Sequence, residues 1–240
     1  SRLDMRKYLM LVLLFVVCSN VIKAQVGERR NDLSVGVNAG MTMTQMTFEP
    51  KIKQNMKSSP TFGITARYVC EKYFSSICAI QLELNYANLG WKELIEDGSG
   101  NTYQRSLNYI QMPMLMHMGW GREQRGVKFF INAGPQIGLY IDGSEEYGGG
   151  VWDTANRPNG VVYQYGKEVE NSFDYGIAGG LGLELSTGIG HLLLEGRYYY
   201  GLGDVFDNSK KGDFGRSAHQ TIAVKMTYLF DLIKTKTNSK

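Results

Sequence analysis

The stretch Leu33-Ser-Val-Gly-Val-Asn-Ala-Gly-Met-Thr-Met-Thr44 alternates without a break. Leu33, Val35, Val37, Ala39, Met41 and Met43 share one face, and Ser34, Gly36, Asn38, Gly40, Thr42 and Thr44 share the other. A period of two is that of a β-strand with one apolar and one polar side. Working outward, the same pattern recurs over 61–70, 78–90, 106–118, 127–141, 173–185, 191–201 and 219–230. In 78–90, for example, Ile80, Leu82, Leu84 and Tyr86 stand against Gln81, Glu83 and Asn85. Each segment reaches the roughly 9–11 residues that a tilted membrane strand needs. No Asp, Glu, Lys or Arg falls on the apolar face of any of them. The polar faces are rich in Gly, Ser, Thr and Asn, which suits the crowded interior of a small barrel. The predicted fold is all-β: an eight-stranded antiparallel up-and-down transmembrane β-barrel.

Composition agrees. The 240 residues include 29 Gly and 15 Tyr but only 5 Pro. A mean hydropathy of −0.25 excludes a bundle of membrane helices. The formal charge of +3 invites a nucleic-acid reading, until its location is checked. Met5-Arg-Lys7, the apolar run from Tyr8 to Val17 and the boundary after Ala24 have the layout of a secretory signal. Cys18 is preceded by bulky Val17, where a lipidation signal takes a small residue. Four of the 26 basic residues (Arg2, Arg6, Lys7, Lys23) and one of the 23 acidic ones (Asp4) precede that boundary. The remainder has 22 of each and is neutral, so no nucleic-acid partner is expected. The expected organisation is upstream residues and signal peptide over 1–24, a short periplasmic segment over 25–32, the barrel over 33–230 and a polar tail over 231–240.

Connection lengths give a second line of argument. Long connections (45–60, 91–105, 142–172, 202–218) alternate with short ones (71–77, 119–126, 186–190). That is the layout of a Gram-negative outer-membrane barrel with short periplasmic turns and long external loops. It places both termini in the periplasm. Aromatic rings gather near both expected interfaces: Tyr86, Trp91, Phe173, Tyr175, Tyr198 and Tyr200 outside, and Tyr73, Phe74, Trp120, Phe129, Tyr228 and Phe230 inside. Outer-membrane lipid is therefore the expected surrounding.

The inward faces carry Arg67, Lys128, Arg197 and Lys225 against Glu83, Glu184 and Glu195, with Asp174 near the rim. They read as a buried salt-bridge network in the barrel interior, the rival being an ion path. Cys70 and Cys78 flank a hairpin turn, where a disulfide and two free thiols are both open readings. His117, His191 and His219 lack metal-ligand spacing, and no Gly-x-Ser-x-Gly is present, so no catalytic residue, metal or cofactor is expected. A barrel lipid hydrolase would instead show a Ser or His cluster at one rim. Met112, Met114, Met116 and Met118 read as a lipid-facing row, and Gly176, Gly179, Gly180 and Gly182 as relief of crowding. Among the loops, 142–172 holds six acidic residues against Arg157 and Lys167, while Lys51, Lys53 and Lys57 make the first loop basic. Trp152, Tyr147, Tyr163 and Tyr165 offer contact surface to a protein or glycan partner, and Val161–Tyr165 alternates as a raised hairpin would. Asp204, Asp207, Asn208 and Asp213 offer oxygen ligands of the kind calcium takes.

Five segments occur in an order that resembles the PorT-like family of outer-membrane β-barrel proteins of the Bacteroidota. They are Gln81-Leu-Glu-Leu-Asn-Tyr86, Leu107-Asn-Tyr-Ile-Gln-Met-Pro-Met-Leu115, Gly134-Pro-Gln-Ile-Gly138, Asp174-Tyr-Gly-Ile-Ala-Gly-Gly180 and Arg197-Tyr-Tyr-Tyr-Gly-Leu202. The resemblance spans roughly Leu33 to Phe230 and implies an eight-stranded outer-membrane barrel. The family's namesake is associated with type IX protein secretion, which makes a secretion accessory the alternative to a non-catalytic structural or interaction role. Pro113 lies inside a strand, where it cannot donate to a ladder, so a local bulge is expected there.

Overall fold

A computed structural model describes residues 27–122, 125–155, 157, 160–209 and 212–235. The signal-peptide reading over 1–24, Cys18 included, lies outside the described residues, as does the tail from 236. Eight antiparallel strands close a ring: β1 (Glu28–Glu49), β3 (Lys57–Tyr73), β4 (Ser76–Glu93), β5 (Thr102–Gly121), β6 (Gly126–Gly148), β7 (Phe173–Ser186), β8 (His191–Gly201) and β9 (Arg216–Ile233). A two-residue strand, β2 (Gln54–Asn55), pairs only with Glu93 and Lys92 of β4. Each strand of the ring bonds its sequence neighbours, and β1 closes the circle by pairing with both β3 and β9. The described chain contains no helix, so every crossing of the wall is made by strands.

The alternation places side chains as the pattern requires. Ser34, Asn38, Thr42, Thr65, Glu83, Asn132 and Lys225 are buried inside, whereas Val37, Ile64, Met116, Leu183 and Val224 are exposed outside. Close approach explains two glycines of β7. A Cβ on Gly180 would meet Glu195 Oε1 at 2.7 Å, and one on Gly182 would meet the Leu194 carbonyl at 2.2 Å.

Partway along the strands the alternation inverts. In β4 the inward set changes from Gln81, Glu83 and Asn85 to Ala87, Leu89 and Trp91, all buried. The outward set changes from Ile80, Leu82 and Leu84 to Asn88 and Lys92. β1 does the same, with Met46 and Phe48 buried inside and Gln45 bonded to Gln220 outside. Below the inversion the wall has an apolar exterior. Above it the exterior is polar and the interior is an apolar core.

The inversion corrects several expectations. Strands run on past their expected ends, because the backbone period continues after the apolar face has changed sides. The far-end connections shrink to 50–56, 94–101, 149–172 and 202–215, against 74–75, 122–125 and 187–190 at the end bearing the termini. Glu28–Asp32, part of the short periplasmic segment expected over 25–32, already belongs to β1, and β9 continues to Ile233. Trp91 is not a rim aromatic; it is fully buried in the interior. Val161–Tyr165 is a turn and not a hairpin; the raised hairpin is the far part of β5 and β6, paired out to Thr102 and Gly148. Pro113 makes no bulge. It keeps its register opposite Gln136, and the bulge lies at Asn108/Tyr109, where Ile141 is the extra residue.

Lipid-facing Met116 is 69% exposed. Met116→Arg is expected to destabilise the barrel by about 2–4 kcal/mol, read by denaturant unfolding from lipid vesicles. Lys92→Glu, above the inversion, is expected to change stability by less than about 0.5 kcal/mol.

Candidate functional site

The seven charged residues expected inside the barrel lie there in two layers. In the middle layer Glu83 of β4 is the hub. Arg197 of β8 holds it with two bonds of 2.7 and 2.8 Å, and Lys225 of β9 adds one of 2.7 Å. Gln81 and Asn85 donate to it from the same strand at 2.7 and 2.8 Å. Arg197 also holds Glu195, through Nε at 2.5 Å and a terminal nitrogen at 3.0 Å. Two cations thus face two carboxylates. Paired, fork-geometry contacts of this kind offset the cost of taking charges out of water.

The second layer lies toward the termini and centres on Glu184 of β7. Arg67 holds it with bonds of 2.7 and 3.1 Å, and Lys128 approaches to 3.0 Å. His191 Nδ1 lies 2.7 Å from the same carboxylate, and His117 Nε2 lies 3.8 Å away. Asp174, expected near the rim, is buried inside and accepts from the Tyr199 hydroxyl at 2.7 Å. His219 stands apart, 3.3 Å from the Tyr109 hydroxyl.

Above the inversion the mouth is filled. Met46, Phe48, Leu89, Trp91, Tyr103, Phe206 and Phe214 form one buried cluster, with Phe48 and Trp91 centroids 4.9 Å apart. Segment 149–172 straps this cluster. Arg105 ties it down, accepted by Glu145 at 2.8 Å, by the Gln164 carbonyl at 3.2 Å and by the Lys167 carbonyl. Its guanidinium sits 5.6 Å from the Phe206 ring centre. Tyr165 and Gln164 donate to Glu93 at 2.8 and 3.2 Å. Burial raises the Glu93 carboxyl above its ordinary pKa, and these two donors pull against that rise.

Two of the four aromatic residues expected as a contact surface, Trp152 and Tyr165, pack against the buried core instead. Tyr147, Trp152 and Tyr165 surround Tyr103, with centroids 5.2, 6.3 and 4.9 Å from it. Tyr147 stays exposed at the edge of this group, and Tyr163 is exposed against Phe214. The physical reason is the apolar interior beneath Trp152 and Tyr165, which offers more burial than solvent does. Arg105, Glu93, Gln164, Phe206 and Phe214 carry this closure, and none was singled out from sequence. Their signal is the inward set Tyr103, Arg105, Leu107, Tyr109, which continues the β5 period into the expected connection 91–105.

The rim loops pair with one another: Lys53 with Glu96 at 3.1 Å, Arg157 with Asp97 at 2.9 Å and Lys167 with Asp213 at 2.9 Å. Ser99 and Arg157 lower the Asp97 carboxyl to about 2. Lys57 is not a loop charge. It is buried and bonded to Ser59 at 2.8 Å. Asp204 accepts from Asn208 and the Ser217 amide, Asp207 from Ser209, and Asp213 holds Lys167, so these acids are separately engaged. Among the described residues no three His, Cys, Asp or Glu converge as a metal site. Cys70 and Cys78 are free thiols. A bulge sets Cys70 out of register, and Glu71 is the residue opposite Cys78.

One constellation has the composition of a nucleophilic relay. Ser186 Oγ lies 3.0 Å from His191 Nδ1, and His191 Nε2 lies 2.9 Å from Asp231 Oδ1. Two histidines therefore do cluster with a Ser and acids near one rim. Yet Glu184 is nearer to Nδ1 than Ser186 is, at 2.7 Å, so a carboxylate competes with Ser186 for that nitrogen. Ser186 is also 2% exposed. A base must face its nucleophile with a free lone pair, and this imidazole spans two acids instead.

The family described as outer membrane protein beta-barrel domain matches residues 23–207. The chain belongs to that family. Membership gives the closed ring and its apolar belt their setting, the outer membrane. No curated protein matches this barrel. Among solved structures it is similar to OprG of Pseudomonas aeruginosa, at 11% identity over 85% of this chain and 95% of that one, with a TM-score of 0.44. It is similar to the outer membrane enzyme PagL at 12% identity, over 82% and 98%, with a TM-score of 0.42. Ail of Yersinia pestis, solved with the heparin analogue sucrose octasulfate, gives 11%, 83%, 99% and 0.36. Likeness at this level assigns no residue of this barrel a role.

Glu83→Ala strands Lys225, leaves Arg197 on Glu195 alone, and is expected to cost about 3–5 kcal/mol in vesicle unfolding. Replacing Glu83, Glu195, Arg197 and Lys225 together by apolar residues is expected to recover most of that loss. Arg105→Ala is expected to release the strap, read as faster protease cleavage within 149–172 while the barrel stays heat-modifiable.

Proposed function

We propose that this outer-membrane barrel, of the PorT-like type, is a non-enzymatic structural or interaction protein. Both termini face the periplasm, and the rim formed by 50–56, 94–101, 149–172 and 202–215 faces outward to a protein or glycan partner. One observation carries the reading: the interior is occupied from the Glu184 layer to the mouth. Two ion layers fill the membrane part, and a strapped aromatic core fills the mouth. A barrel of eight strands has an interior that side chains can fill, and here they do. That leaves the rim as the surface available for recognition. The relay-like trio of Ser186, His191 and Asp231 serves in this reading as a link tying β7, β8 and β9.

Val151 at the rim is 94% exposed. In a chain with Cys70 and Cys78 replaced by Ser, Val151→Cys is expected to react with a membrane-impermeant maleimide on intact cells. Labelling only after cell breakage would reverse the orientation. Liposomes carrying the protein are expected to show no swelling in small sugars, and rapid swelling would replace this role by a pore.

A further inference from the structure

The end bearing the termini holds a cavity of about 310 Å³ that the rim-facing role does not use. It opens beneath the Glu184 layer, and its lining includes Arg67, His117, Arg125, Lys128 and His191. The two ion layers differ in balance. The middle layer sets Arg197 and Lys225 against Glu83 and Glu195. The layer above the cavity sets Arg67 and Lys128 against Glu184 alone, and His191 leans on the same carboxylate. Arg30 is paired with Glu28, and over the rest of the lining Arg67, Arg125, Lys128 and Lys234 outnumber Asp32, Glu184 and Asp231.

Arg67 Nε and His117 Nδ1, both buried in residues of this lining, have no hydrogen-bond partner. His117 is 3% exposed, stacks on Phe130 at 4.6 Å, and makes no hydrogen bond to Glu184. Arg125, in the turn between β5 and β6, has no acidic partner among the described residues. Its guanidinium reaches across Gly188, where a Cβ would stand 3.3 Å from its terminal nitrogen.

Surplus cations and unfilled buried donors around one cavity are relieved by an anion that accepts from several of them at once. A guanidinium fork matches the oxygens of a phosphate. The volume lies at the low end of the roughly 300–1,000 Å³ found for small-molecule sites. That admits a phosphate with a short polyol attached. We propose that this cavity is a binding site for a phosphate group, held by Arg67, Arg125, Lys128 and His117. The phosphate is either a free solute or the headgroup of a phospholipid in the adjoining leaflet.

The test uses the full chain in detergent, freed of lipid, titrated calorimetrically with inorganic phosphate and with glycerol 3-phosphate. Saturable binding is expected, weakened at least about tenfold by Arg125→Gln. Arg157→Gln, at the opposite rim, is expected to leave it unchanged. Arg125 is an exposed turn residue, so the variant keeps the fold, and heat modifiability checks this. A second arm applies native mass spectrometry to protein extracted gently from membranes. A phospholipid retained by the wild type and lost from Arg125→Gln identifies the headgroup as the source. Binding of the soluble probes with no retained lipid identifies the solute. The proposal is overturned if neither probe binds up to about 10 mM and no phospholipid is retained. It is equally overturned if Arg125→Gln binds or retains as the wild type does. None of these readouts depends on what the outward rim contacts.

Discussion

Backbone hydrogen bonding in hydrocarbon is the constraint from which the rest of this structure follows. A strand in a bilayer has no water to satisfy its amides, so the sheet must close on itself. Here β1 pairs with both β3 and β9, and β4 with β5, and no ring strand is left with a free edge. Closure with eight strands then fixes the interior as a narrow column. Every second residue points into it, whatever its chemistry. The column must be filled and its polar groups must be paired.

Two solutions to that demand are stacked in one barrel. Where lipid lies outside, the interior is charged and bonded, because the apolar residues are needed on the exterior. Glu83 with Arg197 and Lys225, and Glu184 with Arg67 and Lys128, tie six different strands together across the lumen. Where water lies outside, the exterior is polar and the interior becomes an ordinary apolar core of Phe48, Trp91, Tyr103 and Phe206. The same strands serve both zones without a break in their pairing. The long connection 149–172 is drawn down by that core and held by Arg105 and Glu93. The three ion pairs among the rim loops then join neighbouring loops in sequence order.

This division explains where function can reside. A filled lumen carries no wide path, and the relay-like trio at His191 is spent on two carboxylates. The rim, proposed for recognition, and the cavity near the termini, proposed for a phosphate, both open to water. They lie at opposite ends of the barrel and are independent in chemistry.

The ring itself was legible in the sequence because lipid is an unforgiving solvent. Eight runs with no charge on the apolar face, such as Leu33–Thr44, have few other uses. The inward charges were legible for the same reason, since residues of the opposite parity had nowhere else to point. The sequence by itself thus determined the strand number, the two faces, and the residues inside the membrane part. Only the tertiary structure decided which charges meet, that Trp91 and Tyr165 turn inward, and that β1 and β4 continue past the lipid. The physical reason is that parity is local, while partner choice is not. Alternation tells each residue which side it faces, but Glu83 and Arg197 are brought together only by the closing of the ring.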